Sequence, residues 1–217
     1  MVIIVNFKAY KEAAGKNAVK LAKICENVAK ESKVNISVAV QAADIERVAR
    51  AVSIPVLAQH VDAIEPGPYT GWTLAESVRD AGAMGSLLNH SELKLPPAML
   101  VRAMKRLRKL DLISVVCADN PSEEQSLVGF KPDMLAVEPP ELIGGKVSVS
   151  SAHPEIITQS VKLAKDIPLL VGAGIHTTED VRVALKLGAK GILVASGVVL
   201  AKDQRKALLA LVNGFKV

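Results

Sequence analysis

The sequence predicts an α/β protein, a closed (β/α)8 barrel with shortened helices, occupying residues 1–217 as one domain. Three observations predict it. Short apolar runs rich in β-branched residues alternate with longer amphipathic ones along the whole chain, the pattern of repeated βα units. Hydrophobic residues make up 50% and aromatics only 3%, so the apolar content is mainly Ala, Val, Leu and Ile, which suit parallel strands buried on both faces. Polar, chemistry-bearing side chains fall at the carboxyl ends of the apolar runs, where a closed barrel gathers them at one mouth.

Taken in order, strands are expected at Val2 to Phe7, Val34 to Val40, Pro55 to His60, Met84 to Asn89, Leu112 to Ala118, Met134 to Glu138, Pro168 to Val171 and Gly191 to Ala195. That is about eight, the number that closes a barrel. Helices are clearest at Asn17 to Lys30, Pro97 to Lys109, Pro154 to Lys165, Thr178 to Leu187 and Gln204 to Asn213. Thr177 with Asp180 reads as a capping box, Pro154 suits a first helical turn, and Gly188 suits the position after a helix end. The units after the second and fifth strands look short. No linker or composition break marks a second domain. A doubly wound open sheet has the same element order, because local patterning does not report closure. The placement of the polar residues favours the barrel.

Composition narrows the partners. The net charge of +5 suits an anionic metabolite, nucleic acid or no particular partner. The densest basic stretch, Arg102 to Lys109, carries Ala103, Met104 and Leu107 at helical spacing and reads as the solvated back of a helix. So few aromatics leave little for stacking bases, which argues against nucleic acid. Cys25 and Cys117 have no spacing that implies a zinc site or a disulfide, and Cys25 belongs to the apolar stripe Ala18, Leu21, Ala22, Cys25, Val28, Ala29. The opening run Val2 to Val5 is too short for a signal peptide or a membrane helix. A protein of the reducing cytoplasm, with no membrane partner, is expected.

Three distant segments aim at the expected mouth. The first strand ends in Asn6, Phe7, Lys8; the fourth in Asn89, His90, Ser91, Glu92; the sixth in Glu138 before two prolines. Lys8 alone reads more readily as a surface lysine than as a catalytic one, and His90 equally as a capping or packing residue and as an acid/base group. Glu138 is harder to dismiss, because a carboxylate ending the run Met134 to Val137 is partly desolvated, and burial makes a better base. Small residues follow the last three strands: Ile143, Gly144 and Gly145; Gly172, Ala173 and Gly174; Ala195, Ser196 and Gly197. Such loops let backbone N–H groups approach a phosphate, aided by a helix expected to begin near Val198 or Val199. With neither a Walker loop nor GxGxxG, the site reads as one for a small sugar phosphate. His60, His153 and His176 lack ligand spacing and read as structural or exposed, so neither metal nor cofactor is expected.

These segments resemble the triosephosphate isomerase family. Asn6-Phe7-Lys8, Ala58-Gln59-His60, Asn89-His90-Ser91-Glu92, Val137-Glu138-Pro139-Pro140-Glu141-Leu142-Ile143-Gly144 and Ala195-Ser196-Gly197 stand in that family's order over nearly the whole chain. The PPELIG form and the shortened helices resemble its archaeal branch. The resemblance implies a TIM barrel that interconverts dihydroxyacetone phosphate and D-glyceraldehyde 3-phosphate through an enediolate, in glycolysis and gluconeogenesis. It implies that Glu138 moves the proton between carbons, that His90 exchanges protons with the substrate oxygens, and that Lys8 and Asn6 hold them. Ile143, Gly144, Gly174, Ala195 and Ser196 match its phosphate contacts, Glu92 its supporting carboxylate behind the site. The loop Gly67 to Trp72, with Thr70-Gly71, implies a homo-oligomer, dimer or tetramer, in which it reaches a neighbouring subunit near the lysine.

The chain departs from the family at several points. Gly144-Gly145-Lys146 stands where GTG is common, GAG replaces YGGS in the seventh loop, Leu93-Lys94 replaces an arginine pair, and Trp72 stands where His is frequent. None removes a catalytic group. Two rival readings share the phosphate loops: another sugar-phosphate isomerase or epimerase, and a non-catalytic sugar-phosphate-binding homologue.

Overall fold

A computed structural model describes residues 1–145 and 147–216. Lys146, singled out above beside Gly145, lies outside them. The strands are β1 (Val2–Asn6), β2 (Asn35–Val40), β3 (Val56–Ala58), β4 (Gly85–Leu88), β5 (Ile113–Ala118), β6 (Met134–Val137), β7 (Leu169–Val171) and β8 (Gly191–Val194). All pair in parallel with their chain neighbours, and Val2 of β1 pairs with Gly191 of β8, so the sheet closes. The open-sheet alternative is thereby excluded.

Strand alternation sorts the side chains into two cores. Ile4, Ala39, Leu57, Leu87, Val115, Ala136, Leu170 and Leu193 fill the barrel interior. Their strand neighbours, such as Ile3, Val5, Val38, Val137 and Val171, face outward into a second apolar layer beneath the helices. Every strand is therefore apolar on both faces. Gly191 is required where the barrel closes: a Cβ there would stand 2.1 Å from the Val2 carbonyl oxygen.

The helices are α1 (Lys16–Ser32), α2 (Ile45–Ala49), α3 (Ala75–Asp80), α4 (Pro97–Lys109), α5 (Pro121–Val128), α6 (Val149–Ala152), α7 (Pro154–Ala164), α8 (Thr178–Lys186), α9 (Ser196–Val199) and α10 (Gln204–Asn213). Thr177 and Asp180 form the expected capping box, and Cys25 is buried in the outer layer. The short units after β2 and β5 are α2 and α5. No helix among the described residues is long and apolar enough to cross a membrane.

Three expectations are corrected. Each strand is one to three residues shorter than its apolar run. At the lower rim Pro55 and Pro168 lack an N–H, and only their carbonyls join the ladder, accepting from Val38 and Leu135 at 3.0 Å. At the upper rim the chain turns out of the sheet to present the site residues. The helix after β8 begins at Ser196, not near Val198 or Val199, because the Ala195 carbonyl already accepts from the Val198 and Val199 N–H groups at 3.0 and 2.9 Å. Arg106 is not part of a solvated helix back: its side chain is 12% exposed, paired with Glu76 of α3 and, at 3.0 Å, with Glu65. Arg102, Lys105, Arg108 and Lys109 are exposed as expected.

Candidate active site

Strand parity explains how the polar groups reach one place. Ile4 points into the barrel, so Asn6 and Lys8 continue the same face above it; Ala136 points inward, and Glu138 follows by the same step. Lys8 takes a left-handed backbone conformation (φ 48°) that L-residues rarely adopt. Two hydrogen bonds hold it there: its N–H donates to Asn6 Oδ1 at 3.0 Å, and its carbonyl accepts from Gln59 Nε2 at 3.0 Å. Asn89 is left-handed too (φ 59°), with its amide on the Cys117 carbonyl and Glu123, and this turn throws His90 across the mouth.

The structure brings Asn6, Lys8, His90, Glu138, Ile143, Gly144, Gly174, Ala195 and Ser196 around one cavity. Glu92 stands behind it, with Oε1 2.7 Å from the Lys8 ammonium. The Glu92 backbone N–H also donates to His90 Nδ1 at 3.2 Å. That nitrogen accepts, so in the neutral ring the proton sits on Nε2. Burial, reinforced by the Lys8 charge, lowers the His90 pKa and keeps the ring neutral. Nε2 lies 3.4 Å from Glu138 Oε2. This is long for a hydrogen bond.

Glu138 is pushed up to about 7. Burial is the main cause; the Lys8 ammonium opposes it, and the carboxylates of Glu92 and Asp119 add to it. Its Oε2 is buried with no hydrogen-bond partner among the described residues. A desolvated carboxylate with a spare lone pair, near neutrality, is a base suited to a weakly acidic proton. Gly172 makes its seat, since a Cβ at that position would lie 2.4 Å from Glu138 Oε1.

On the opposite side, Ser196 and Gly197 occupy the first turn of α9, where helix N–H groups lack internal partners. The change from YGGS to GAG has a packing reason. Gly174 has φ 68°, and a Cβ on it would meet the Val147 carbonyl oxygen at 2.1 Å, so a serine there has no room. Pro140–Leu142 forms a 3-10 turn that lays Ile143 and Gly144 over the cavity.

Some features had no sequence signal. His60 and His153 pair with nearby Asp62 and Glu155, but His176 lines the cavity and contacts Gly145. Lys94, which replaces an arginine, bridges Asp119 at 2.7 Å and Glu123 at 2.8 Å beneath the His90 turn. Among the described residues no group of three His, Cys, Asp or Glu side chains is placed to hold a metal ion.

A buried carboxylate facing an imidazole N–H across the mouth of a (β/α)8 barrel, with a cation beside them, defines a barrel enzyme that moves protons on a small substrate. The triosephosphate isomerase family model matches residues 1–214. Triosephosphate isomerases of Archaeoglobus fulgidus and Methanothermus fervidus are 50% and 48% identical to the chain over 216 residues, covering 98% of it and 97% of each relative. The chain belongs to the triosephosphate isomerase family and is an aldose–ketose isomerase. A crystal structure of the Bartonella henselae triosephosphate isomerase superposes with a TM-score of 0.77 at 18% identity, covering 100% of this chain and 99% of that one, and shows the same fold. Neither rival reading, another sugar-phosphate isomerase or epimerase or a non-catalytic homologue, finds support in these matches.

Proposed function

We propose that Glu138, His90 and Lys8 carry the interconversion of dihydroxyacetone phosphate and D-glyceraldehyde 3-phosphate. The observation that supports this most is the 3.4 Å approach of Glu138 Oε2 to His90 Nε2 beside the Lys8 ammonium. The roles are the family's, carried onto matching residues. Glu138 takes a proton from the carbon next to the substrate carbonyl and returns it to the neighbouring carbon. His90, neutral and donating from Nε2, exchanges protons with the two oxygens. Lys8 meets the negative charge of the enediolate, and Asn6, 4% exposed, orients the substrate oxygen.

Ile143, Gly144, Gly174, Ala195 and Ser196 hold the phosphate, with the 139–147 loop as a lid that excludes water. Glu92 supports Lys8 and, through its N–H, sets the His90 tautomer. The reaction needs no cofactor or metal ion. The chain acts as one catalytic domain over residues 1–217, in the cytoplasm, where the buried free thiols of Cys25 and Cys117 suit a reducing compartment. It works as a homo-oligomer.

Turnover of dihydroxyacetone phosphate by the purified protein, compared with Glu138→Gln and with no metal added, tests the reading. Removing the base is expected to lower kcat on the order of 10²–10⁴-fold while the fold persists. Wild-type protein that folds but does not turn over, or a Glu138→Gln variant as active as wild type, overturns it.

A further inference from the structure

We propose that His176 is a positioning residue for this reaction: its Nε2–H clasps the Gly145 carbonyl and so holds the loop bearing Ile143 and Gly144 over the phosphate end of the site. The inference rests on the assignment of that loop to substrate in the preceding subsection.

His176 Nε2 lies 2.8 Å from the Gly145 carbonyl oxygen. A carbonyl only accepts, so the ring nitrogen donates, whether the imidazole is neutral or protonated. The opposite edge of the ring rests on the first turn of α9. A methyl group on Gly197 would come within 2.4 Å of Nδ1 and 3.0 Å of Cε1, so that glycine leaves the space the ring fills. The backbone beneath the ring is fixed as well. The His176 N–H donates to Asp180 Oδ2 at 3.1 Å, and the same oxygen takes the Thr177 N–H at 2.9 Å.

Asp180 ties in the far end of the lid. Its Oδ1 accepts from Ser148 Oγ at 2.5 Å, at the point where the loop enters α6. The 139–147 loop is thus referred twice to one short stretch of the seventh βα loop: its tip through the His176 side chain, its end through Asp180. Gly174 brings no hydroxyl to this region, and His176, two residues on, reaches the lid instead.

The clasp exists only while Gly145 lies beside the ring. A loop that swings away loses it, and the enediolate is then exposed in a form that can break down. An enediolate oxygen closes to a carbonyl, the double bond shifts and the C–O bond to phosphate breaks, its bonding pair leaving with inorganic phosphate. The enol left behind then ketonises, gaining a proton at its terminal carbon and losing its hydroxyl proton to water. One hydrogen bond is modest in affinity. Its larger effect falls on the partition between isomerisation and phosphate loss.

Full-length wild type is compared with His176→Ala, His176→Phe and His176→Gln. The readouts are the Kd of phosphoglycolate, kcat and KM for triose phosphate, and inorganic phosphate released per isomerisation turnover. Phenylalanine keeps the ring's bulk against Gly197 without a donor; glutamine carries an N–H at comparable reach. The Ala and Phe variants are expected to bind phosphoglycolate roughly three- to tenfold more weakly and to release several times more phosphate per turnover. The Gln variant is expected to return both to within about twofold of wild type, on the same hydrogen-bond ground. A Phe variant indistinguishable from wild type, or equal losses in Phe and Gln, overturns the clasp. Wild type that isomerises normally while all three variants match it sinks this inference alone, whereas wild type without turnover sinks the assignment beneath it.

Discussion

Glu138 sits under two opposed influences, burial and the Lys8 charge, and burial wins. Burial raises the carboxylate to about 7, and the ammonium beside it pulls the other way. The base is the deprotonated form, so kcat/KM is expected to rise with pH up to about 7 and then level off. Replacing Lys8 by methionine removes a charge that opposes the shift, while Glu92 and Asp119 still raise it. The acidic limb of the profile should therefore move to higher pH. The same substitution removes a donor to the enediolate, and kcat/KM should fall on the order of a hundredfold or more. A pH–rate profile of Lys8→Met whose limb stays in place would show that the ammonium does not tune the base. Lys8 and Glu138 were both legible in the sequence, because a period of two carries the inward face of an apolar strand straight into the first polar residue beyond it. The balance between them was not, since it depends on Asp119 and Glu92, which arrive from other strands.

Among the elements, β7 and α5 make opposite demands on the same base chemistry. The residue after β7 is Gly172, and its missing side chain leaves the volume that Glu138 Oε1 fills. Gly172→Ala is expected to displace the carboxylate and lower kcat/KM on the order of a hundredfold, with circular dichroism unchanged; near-normal kinetics would mean the seat yields. In α5 the buried carboxylate is structural. Glu124 is wholly buried and pushed up to about 7, with burial dominating and the Ser160 hydroxyl of α7 opposing it too weakly. Because the folded-state pKa lies above the ordinary 4.5, the fold prefers the protonated acid. The penalty for the charge is absent below about pH 4.5, grows between 4.5 and about 7, and is complete above 7. Glu124→Gln should therefore melt several degrees above wild type at pH 8 and close to it at pH 4. A melting difference independent of pH would remove the carboxylate from the account. The strands themselves were legible from their β-branched runs, and their ends were not, because the rims are where polar residues and prolines leave the ladder. The helix α3 escaped notice for its brevity, and Arg106 looked solvated because the acids that bury it, Glu65 and Glu76, lie across the chain.

Closure of the barrel is a property of the whole molecule, decided by the pairing of β8 with β1 and invisible to any local window. It was legible only indirectly, through polar residues that need a common mouth. The assembly proposed above has a similar character, and the loop between Gln59 and Thr73 is where it is expected. Asp62 pinches the base of that loop, its N–H on the Thr73 carbonyl at 2.9 Å and its Oδ2 taking the Thr73 N–H at 2.6 Å. At the tip Tyr69 and Trp72 hold their rings 5.7 Å apart, yet stand 42% and 48% exposed. Two large aromatics presented to solvent on a braced loop are the surface that the proposed homo-oligomer would cover. Light scattering is expected to give wild type a mass well above the 22.9 kDa of one chain, and Trp72→Glu a mass that falls toward it. Wild type already at one chain's mass, or a variant unchanged, would sink the assembly reading. Gln59 opens the same loop and holds the Lys8 carbonyl, so an interface at Trp72 is mechanically linked to the strained lysine. The specific activity of Trp72→Glu should accordingly fall on dilution and recover as the protein is concentrated, whereas activity insensitive to concentration would show that Lys8 holds its conformation without a neighbour.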